Sequence, residues 1–254
     1  MLITILKHIN MLEKKCNKMK KSYLHRIDFE NDFQVLDDFD DWVVCSPGKS
    51  PWNKYMGLFP KIVTNDLGAS YLRLSCEYDK EDKVYRTAGV KSIDTFQDGI
   101  IEIKARFKGG NSSWPAIWLK AYGASNYYEI DLCEYFERRN HCKTGLFMPK
   151  HLKWGLKRLF RPKKHPKIDK DNWNLFTCQW NSDSIIIKVN NKKVLEYKNT
   201  GNSKDFPINL EDRKFTLILS MQYGHSWCLP KNKKQLPLYM DVAYVKYYKL
   251  INNG

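Results

Sequence analysis

The segment Tyr127–Glu137, YYEIDLCEYFE, puts three carboxylates, Glu129, Asp131 and Glu134, into a run whose aromatic and β-branched residues otherwise suit the interior of a strand. On a regular strand, residues two apart share a face, so Glu129 and Asp131 point one way while Tyr128, Ile130 and Leu132 point the other. Strict alternation would send Glu134 into the core, where an unpaired carboxylate costs several kcal/mol. A single β-bulge near Leu132 or Cys133 inserts one extra residue and returns Glu134 to the side of the other two. The spacing therefore predicts a bulge. With it, Glu129 and Glu134 share a face at a separation suited to a retaining glycosidase, whose carboxyls sit about 5 to 5.5 Å apart. One carboxylate attacks the anomeric carbon; the other protonates the leaving oxygen and later activates water. Asp131, in like-charge contact with both, should raise at least one pKa and keep a carboxyl protonated. Read from these residues alone, an exposed acidic strand or a divalent-cation site of hard oxygen ligands fits the same spacing.

Such a strand needs partners, and the chain supplies them. After about residue 30 it reads as short apolar-alternating segments separated by Gly, Asn, Asp and Lys turns. These segments are YLRLSCEY (71–78), GIIEIKARF (99–107), AIWLK (116–120), YYEIDLCEYF (127–136), LFTCQW (175–180), SIIIKVNNKKVLEY (184–197), FTLILSMQY (215–223) and YMDVAYVKYYKL (239–250). Strands at that spacing indicate a sandwich or barrel. In SIIIKVNNKKVLEY, Asn190–Asn191 can supply the positive φ of a tight hairpin turn. No internal repeat and no Pro/Gly/Ser linker divides the chain, so a single all-β domain over residues 31–250 is expected.

The 254 residues are 43% hydrophobic and 28% charged, a globular balance. No apolar run approaches the roughly 18 to 20 residues of a membrane-spanning helix, and no membrane partner is expected. The formal charge of +15 brings an anionic partner into consideration. Much of it lies in the first 26 residues and between Lys150 and Lys170. Residues 1–30 read as a basic N-terminal extension, disordered or helical. Their apolar start is followed, not preceded, by basic residues and lacks a small-residue cleavage site, a poor fit to a secretory signal that leaves localisation open. Segment 149–170 reads either as a solvated surface loop or as a clamp on an anionic polymer, with basic residues interleaved with Trp154, Leu156, Leu159 and Phe160. The seven cysteines form no CxxC pair, so neither a zinc site nor a disulfide scaffold is indicated.

The motif EIDLCE (129–134) resembles, position by position, the bulged ExDxxE of glycoside hydrolase family 16, the laminarinase, lichenase, agarase and carrageenase group. Surrounding blocks are similar to the family's in the same order: YRTAGVKSIDTFQDGIIEIKARF (85–107), WPAIWLK (114–120), DNWNLFTCQWNSDSIIIKVNNKKV (171–194) and YMDVAYVKYYKL (239–250). The resemblance covers about residues 35 to 250. It implies a concanavalin-like β-jelly-roll sandwich of two antiparallel sheets with a concave substrate cleft. It further implies Glu129 as nucleophile, Asp131 as assisting carboxylate and Glu134 as general acid/base, without a cofactor or catalytic metal. Trp114 matches a cleft-lining position, while Trp118 is assigned to the core. Ser220, Gln222 and Trp227 are candidates to border the sugar subsites or to pack as a polar strand end. Tyr135, substrate-facing if it lines the cleft, and Phe136 are candidates for the cleft floor or the core. Where the family carries an Asp that helps hold a structural calcium, this chain has Ala243, so no metal is predicted.

The expected function is endo-acting, retaining cleavage of a polysaccharide by a monomer. A β-1,3 or mixed β-1,3/1,4-glucan leads narrowly over a sulfated or acidic galactan, which positive charge near the cleft favours. A non-catalytic sugar-binding protein on the same sandwich is the alternative from another class. Nucleic acid is not an expected partner, because an acidic cleft repels phosphate.

Overall fold

Along Gly99–Lys108 every odd-numbered residue is buried and every even-numbered one is partly or fully exposed, as expected of a strand with one face on the core. The computed structural model describes residues 24–31, 40–48, 54–121, 127–137, 141–152, 161–224 and 231–251. Its strands are, in chain order, β1 (Leu24–Asn31), β2 (Trp42–Val44), β3 (Met56–Leu58), β4 (Lys61–Thr64), β5 (Ser70–Asp79), β6 (Val84–Ser92), β7 (Phe96–Gln97), β8 (Gly99–Lys108) and β9 (Ser113–Ala121). There follow β10 (Glu129–Phe136), β11 (His141–Phe147), β12 (Lys163–Lys164), β13 (Asn174–Trp180), β14 (Ser184–Val189), β15 (Lys192–Lys198), β16 (Lys214–Tyr223) and β17 (Leu238–Ile251).

These strands build an all-β jelly-roll sandwich. One layer runs β4–β5–β17–β8–β13–β14–β15, with β1 beside the later half of β17. The other runs β2–β6–β16–β9–β10–β11–β12, with β7 alongside the start of β16. Strand β6 belongs to both, pairing with β5 through residues 84–87 and with β16 through residues 89–91. Pairing is antiparallel except for the short contact of β3 with β6.

Between the layers, Leu72, Leu74, Ile101, Ile103, Phe107, Phe176 and Trp180 of the first meet Ile117, Leu119, Ile130, Leu132, Leu217 and Leu219 of the second. Each is essentially inaccessible to water, and fully burying such a side chain contributes about 1.5 to 3 kcal/mol. The second layer therefore spends one face on the core and has the other available for chemistry.

The Asn190–Asn191 turn takes the expected form, with φ of +49° and +63° and Val189 paired to Lys192 across it. Residues 24–30, read from sequence as part of a basic extension, lie in β1 and pair with β17; the remainder of that extension lies outside the described residues. Cys45, Cys76, Cys133, Cys142 and Cys178 are free thiols. Ala243 sits at a register shift of β17 and offers no side-chain oxygen. Among the described residues, no three His, Cys, Asp or Glu side chains gather to hold a metal ion. The position does not fit a carboxylate-ligated calcium.

Candidate active site

The register of β10 shows the expected bulge. Against β11, Asp131 pairs with Gly145 and Glu134 with Lys143, so Leu132 and Cys133 together oppose Thr144 alone. Against β9, Asp131 pairs with Trp118 and Cys133 with Ile117, which leaves Leu132 as the extra residue. The Thr144 hydroxyl donates to the Leu132 carbonyl at 2.8 Å and pins the distortion. Leu132 and Cys133 both pack into the core, while Glu129, Asp131 and Glu134 all belong to the opposite face. The cost of a bulge is the means by which three carboxylates leave the interior together.

Two of them are nevertheless poorly hydrated, and Glu129 is half-buried. Asp131 is 3% exposed and Glu134 6%. Tyr127 donates its hydroxyl to Glu129 Oε2, and Glu129 shares a hydrogen bond with Asp131. Burial pushes the Glu129 carboxyl above the usual carboxylate range, and the charge of Glu134 adds to that, against the opposing pull of the Tyr127 hydrogen bond. Asp131 is pushed well above its ordinary value, first by burial and then by the charges of Glu134 and Glu129. A protonated Asp131 is a donor, so it can hydrogen-bond an ionised Glu129 where two anions would repel.

Cations approach from the far side. Lys143 forms an ion pair with Glu134 Oε2. Arg161 Nη1 donates to Asp131 Oδ2 at 3.3 Å, and its Nη2 lies 3.8 Å from Glu134 Oε2. The guanidinium rests 3.6 Å from the centroid of the Phe147 ring. Gly145 makes this approach possible, because a Cβ there would stand 3.1 Å from the Pro162 carbonyl oxygen and 3.3 Å from Arg161 Nη1.

On β9 and β16, Trp114, Ala116 and Trp118 share the carboxylate face with Ser220 and Gln222, while Ile117, Leu119, Leu219 and Met221 face the core. Trp114 stacks on Phe136 with ring centroids 5.5 Å apart. Ser220 Oγ accepts from Trp118 Nε1 at 3.3 Å and from Gln222 Nε2 at 3.2 Å. Trp118 thus corrects its assignment to the core: register places it four residues from Trp114, with Ala116 between them, on the same face. Tyr135 is corrected in the other direction. The bulge restores alternation after Cys133, so Tyr135 points inward, fully buried and stacked on Phe107, and Phe136 takes the cleft side. Trp227 lies outside the described residues.

The model of the family "Glycosyl hydrolases family 16" matches residues 60–235. The chain belongs to that family. This family 16 chain is 29% identical over 239 residues to a curated protein named keratan-sulfate endo-1,4-beta-galactosidase, from Sphingobacterium multivorum, covering 89% of the chain and 56% of that relative. It thus spans little more than half the length of the curated relative it matches. Among solved structures, one from work on endo-acting O-glycanases that prominent members of the human gut microbiota express to initiate mucin breakdown superposes with a TM-score of 0.76 at 22% identity, covering 89% of this chain and all of that one. The laminarinase from Flavobacterium sp. UMI-01 gives 0.73 at 20% identity, covering 88% and 100%. Both are likenesses of fold.

Sequence reasoning missed Tyr127, Lys143 and Arg161, and left Phe136, like Tyr135, between cleft floor and core. The signal for Lys143 and Arg161 was present as a basic run on both sides of Gly145, but only the pairing of β11 with β10, and of β12 with β11, brings those charges to the carboxylates.

Proposed function

We propose that this family 16 chain is an endo-acting, retaining glycosidase that cleaves internal β-galactosidic linkages of an acidic, galactose-containing polysaccharide. The observation that carries the reaction is the bulge that turns Glu129, Asp131 and Glu134 onto one face. Glu129, held by the Tyr127 hydroxyl, attacks the anomeric carbon and forms the glycosyl ester. Glu134 gives its proton to the leaving oxygen and then takes one from water, so two inversions return the original configuration. Asp131 carries a proton that it donates toward Glu129, which orients the nucleophile without adding a third negative charge. Trp114, Phe136, Trp118, Ser220 and Gln222 offer rings and polar groups to the sugars on the β9–β16 side.

Two observations move the substrate from glucan toward an acidic galactan. The curated relative is named for keratan sulfate and a β-1,4-galactosidic linkage, and Lys143 and Arg161 stand against the catalytic carboxylates. The test is release of reducing ends from keratan sulfate, agarose, porphyran, carrageenans, laminarin and mixed-linkage glucan by the wild type and Glu129→Gln, with product size and initial anomer followed by NMR. Cleavage of a galactan into oligosaccharides of retained configuration by the wild type alone is the expected result. Cleavage of laminarin instead would return the glucan reading. Binding without cleavage by the wild type would leave a carbohydrate-binding protein.

A further inference from the structure

The face that carries the carboxylates is asymmetric in charge. In the row through Glu134, the neighbours on β9 and β16 are Ala116 and Ser220, whereas the neighbour on β11 is Lys143. In the row through Asp131, Trp118 and Ile218 lie on one side; Gly145 and then Lys163 lie on the other. Arg161 fills the space above Gly145, its side chain only 8% exposed. At the end of the same stripe, the rings of His141 and His165 meet edge to face with centroids 4.5 Å apart. Lys120, opposite Glu129 on β9, has its ammonium 5.0 Å from the centroid of the Tyr127 ring.

From this we infer that Lys143, Arg161 and Lys163 form an anion-binding wall on the β11–β12 side of the cleft, which receives a sulfate ester on the sugar bound there. This rests on the glycosidase reading and deepens it by assigning the substrate's charge to one side of the cleavage point. Three features make the wall a built site. Arg161 is a buried guanidinium whose position is fixed by a ring below it and a glycine beneath its Nη1. Its planar fork and the point charge of Lys143 approach the same region from different strands, a geometry suited to an oxyanion with several acceptor atoms. Lys163, on the short outer strand β12, is exposed and can reach a substituent that the two buried cations meet from below. In the absence of substrate, the carboxyl oxygens of Asp131 and Glu134 lie against these cations and keep them ordered. A sugar sulfate then enters a preorganised site. The neutral, aromatic β9–β16 side has no comparable arrangement among the described residues, so anionic selectivity belongs to one side only.

The experiment measures binding of Glu129→Gln to keratan sulfate and to the same polymer after chemical desulfation, by affinity electrophoresis over a range of salt. Binding is used because it reads the wall whether or not a galactan proves to be cleaved. At low salt the sulfated polymer should bind at least tenfold more tightly, with the ratio shrinking as salt rises. Adding Lys163→Glu, an exposed change that spares the core, should bring the ratio close to one, and Arg161→Lys should reduce it through loss of the fork. Equal affinity for the two polymers, absence of binding to both, or a ratio that survives Lys163→Glu would overturn the wall. Failure of the wild type to cut any galactan while the affinity ratio holds would count against the reaction assigned above and not against the wall.

Discussion

Glu134 and Glu129 lie on one face of β10 but should fail differently when changed. Glu134→Gln removes proton transfer while keeping shape, so kcat on a polysaccharide with a poor leaving group should fall about 10²- to 10⁴-fold. An activated aryl glycoside, whose leaving group needs no proton, should lose much less in its first step; equal losses on both substrates would contradict the role. Glu129 makes a prediction about stability. Its folded pKa is raised, first by burial, so the folded protein holds that proton more tightly than the unfolded chain does. Stability is therefore lost as pH rises from the ordinary carboxylate value through the raised folded one. Glu129→Gln removes this titration. Its thermal midpoint should match the wild type below about pH 4, where both states are protonated, and exceed it increasingly toward neutral pH. A constant difference across the range, followed by calorimetry, would show that the carboxyl is not the source. An active site that costs stability in this way is a common exchange for reactivity.

Among the elements, those legible in sequence are the ones whose outer face is simply polar. Segments 99–107, 175–180 and 184–197 alternate cleanly and form β8, β13 and the β14–β15 hairpin. Strand β11, HCKTGLF, was not read as a strand. Its cleft face carries Lys143, which answers a carboxylate across the sheet, and Gly145, which yields its place to Arg161; both choices obey partners that are remote in sequence. The bulge of β10 was legible because it left a contradiction inside one strand. The same reasoning could not tell Tyr135 from Phe136, since one residue's shift exchanges their faces. Backbone approach sets another limit at Gly99, where β8 begins beside β17. A Cβ there would stand 2.4 Å from the Tyr248 carbonyl oxygen and 2.6 Å from the Tyr247 ring. Gly99→Ala should therefore destabilise by about 1 to 3 kcal/mol, seen as a fall of several degrees in Tm. An unchanged Tm would mean that the two strands separate there at little cost.

For the whole molecule, the layer behind the site holds its own concentrated polar contact. Asp241 of β17 is fully buried and accepts from Arg73 at 2.7 and 2.9 Å and from Arg106 at 3.0 Å, tying β5 and β8 to the strand between them. The arginines are partly exposed and can regain water, so Asp241→Ala should cost about 1 to 3 kcal/mol, less than stranding a fully enclosed charge. Denaturant unfolding with an unchanged m-value would check it, and a loss of activity greater than the loss of folded protein would be unexpected, because this contact belongs to the layer opposite the cleft. Strand β17 pairs with β5, β8 and β1. Its register links residues 238–251 to partners as early as Leu24. During translation, β5 and β8 must wait with open hydrogen-bonding edges until these late residues clear the ribosome, since no earlier segment takes their place. The nascent chain thus carries an association hazard until residues 238–251 have emerged, and heterologous yield should respond to synthesis rate and chaperone supply more than to the cleft mutations discussed above.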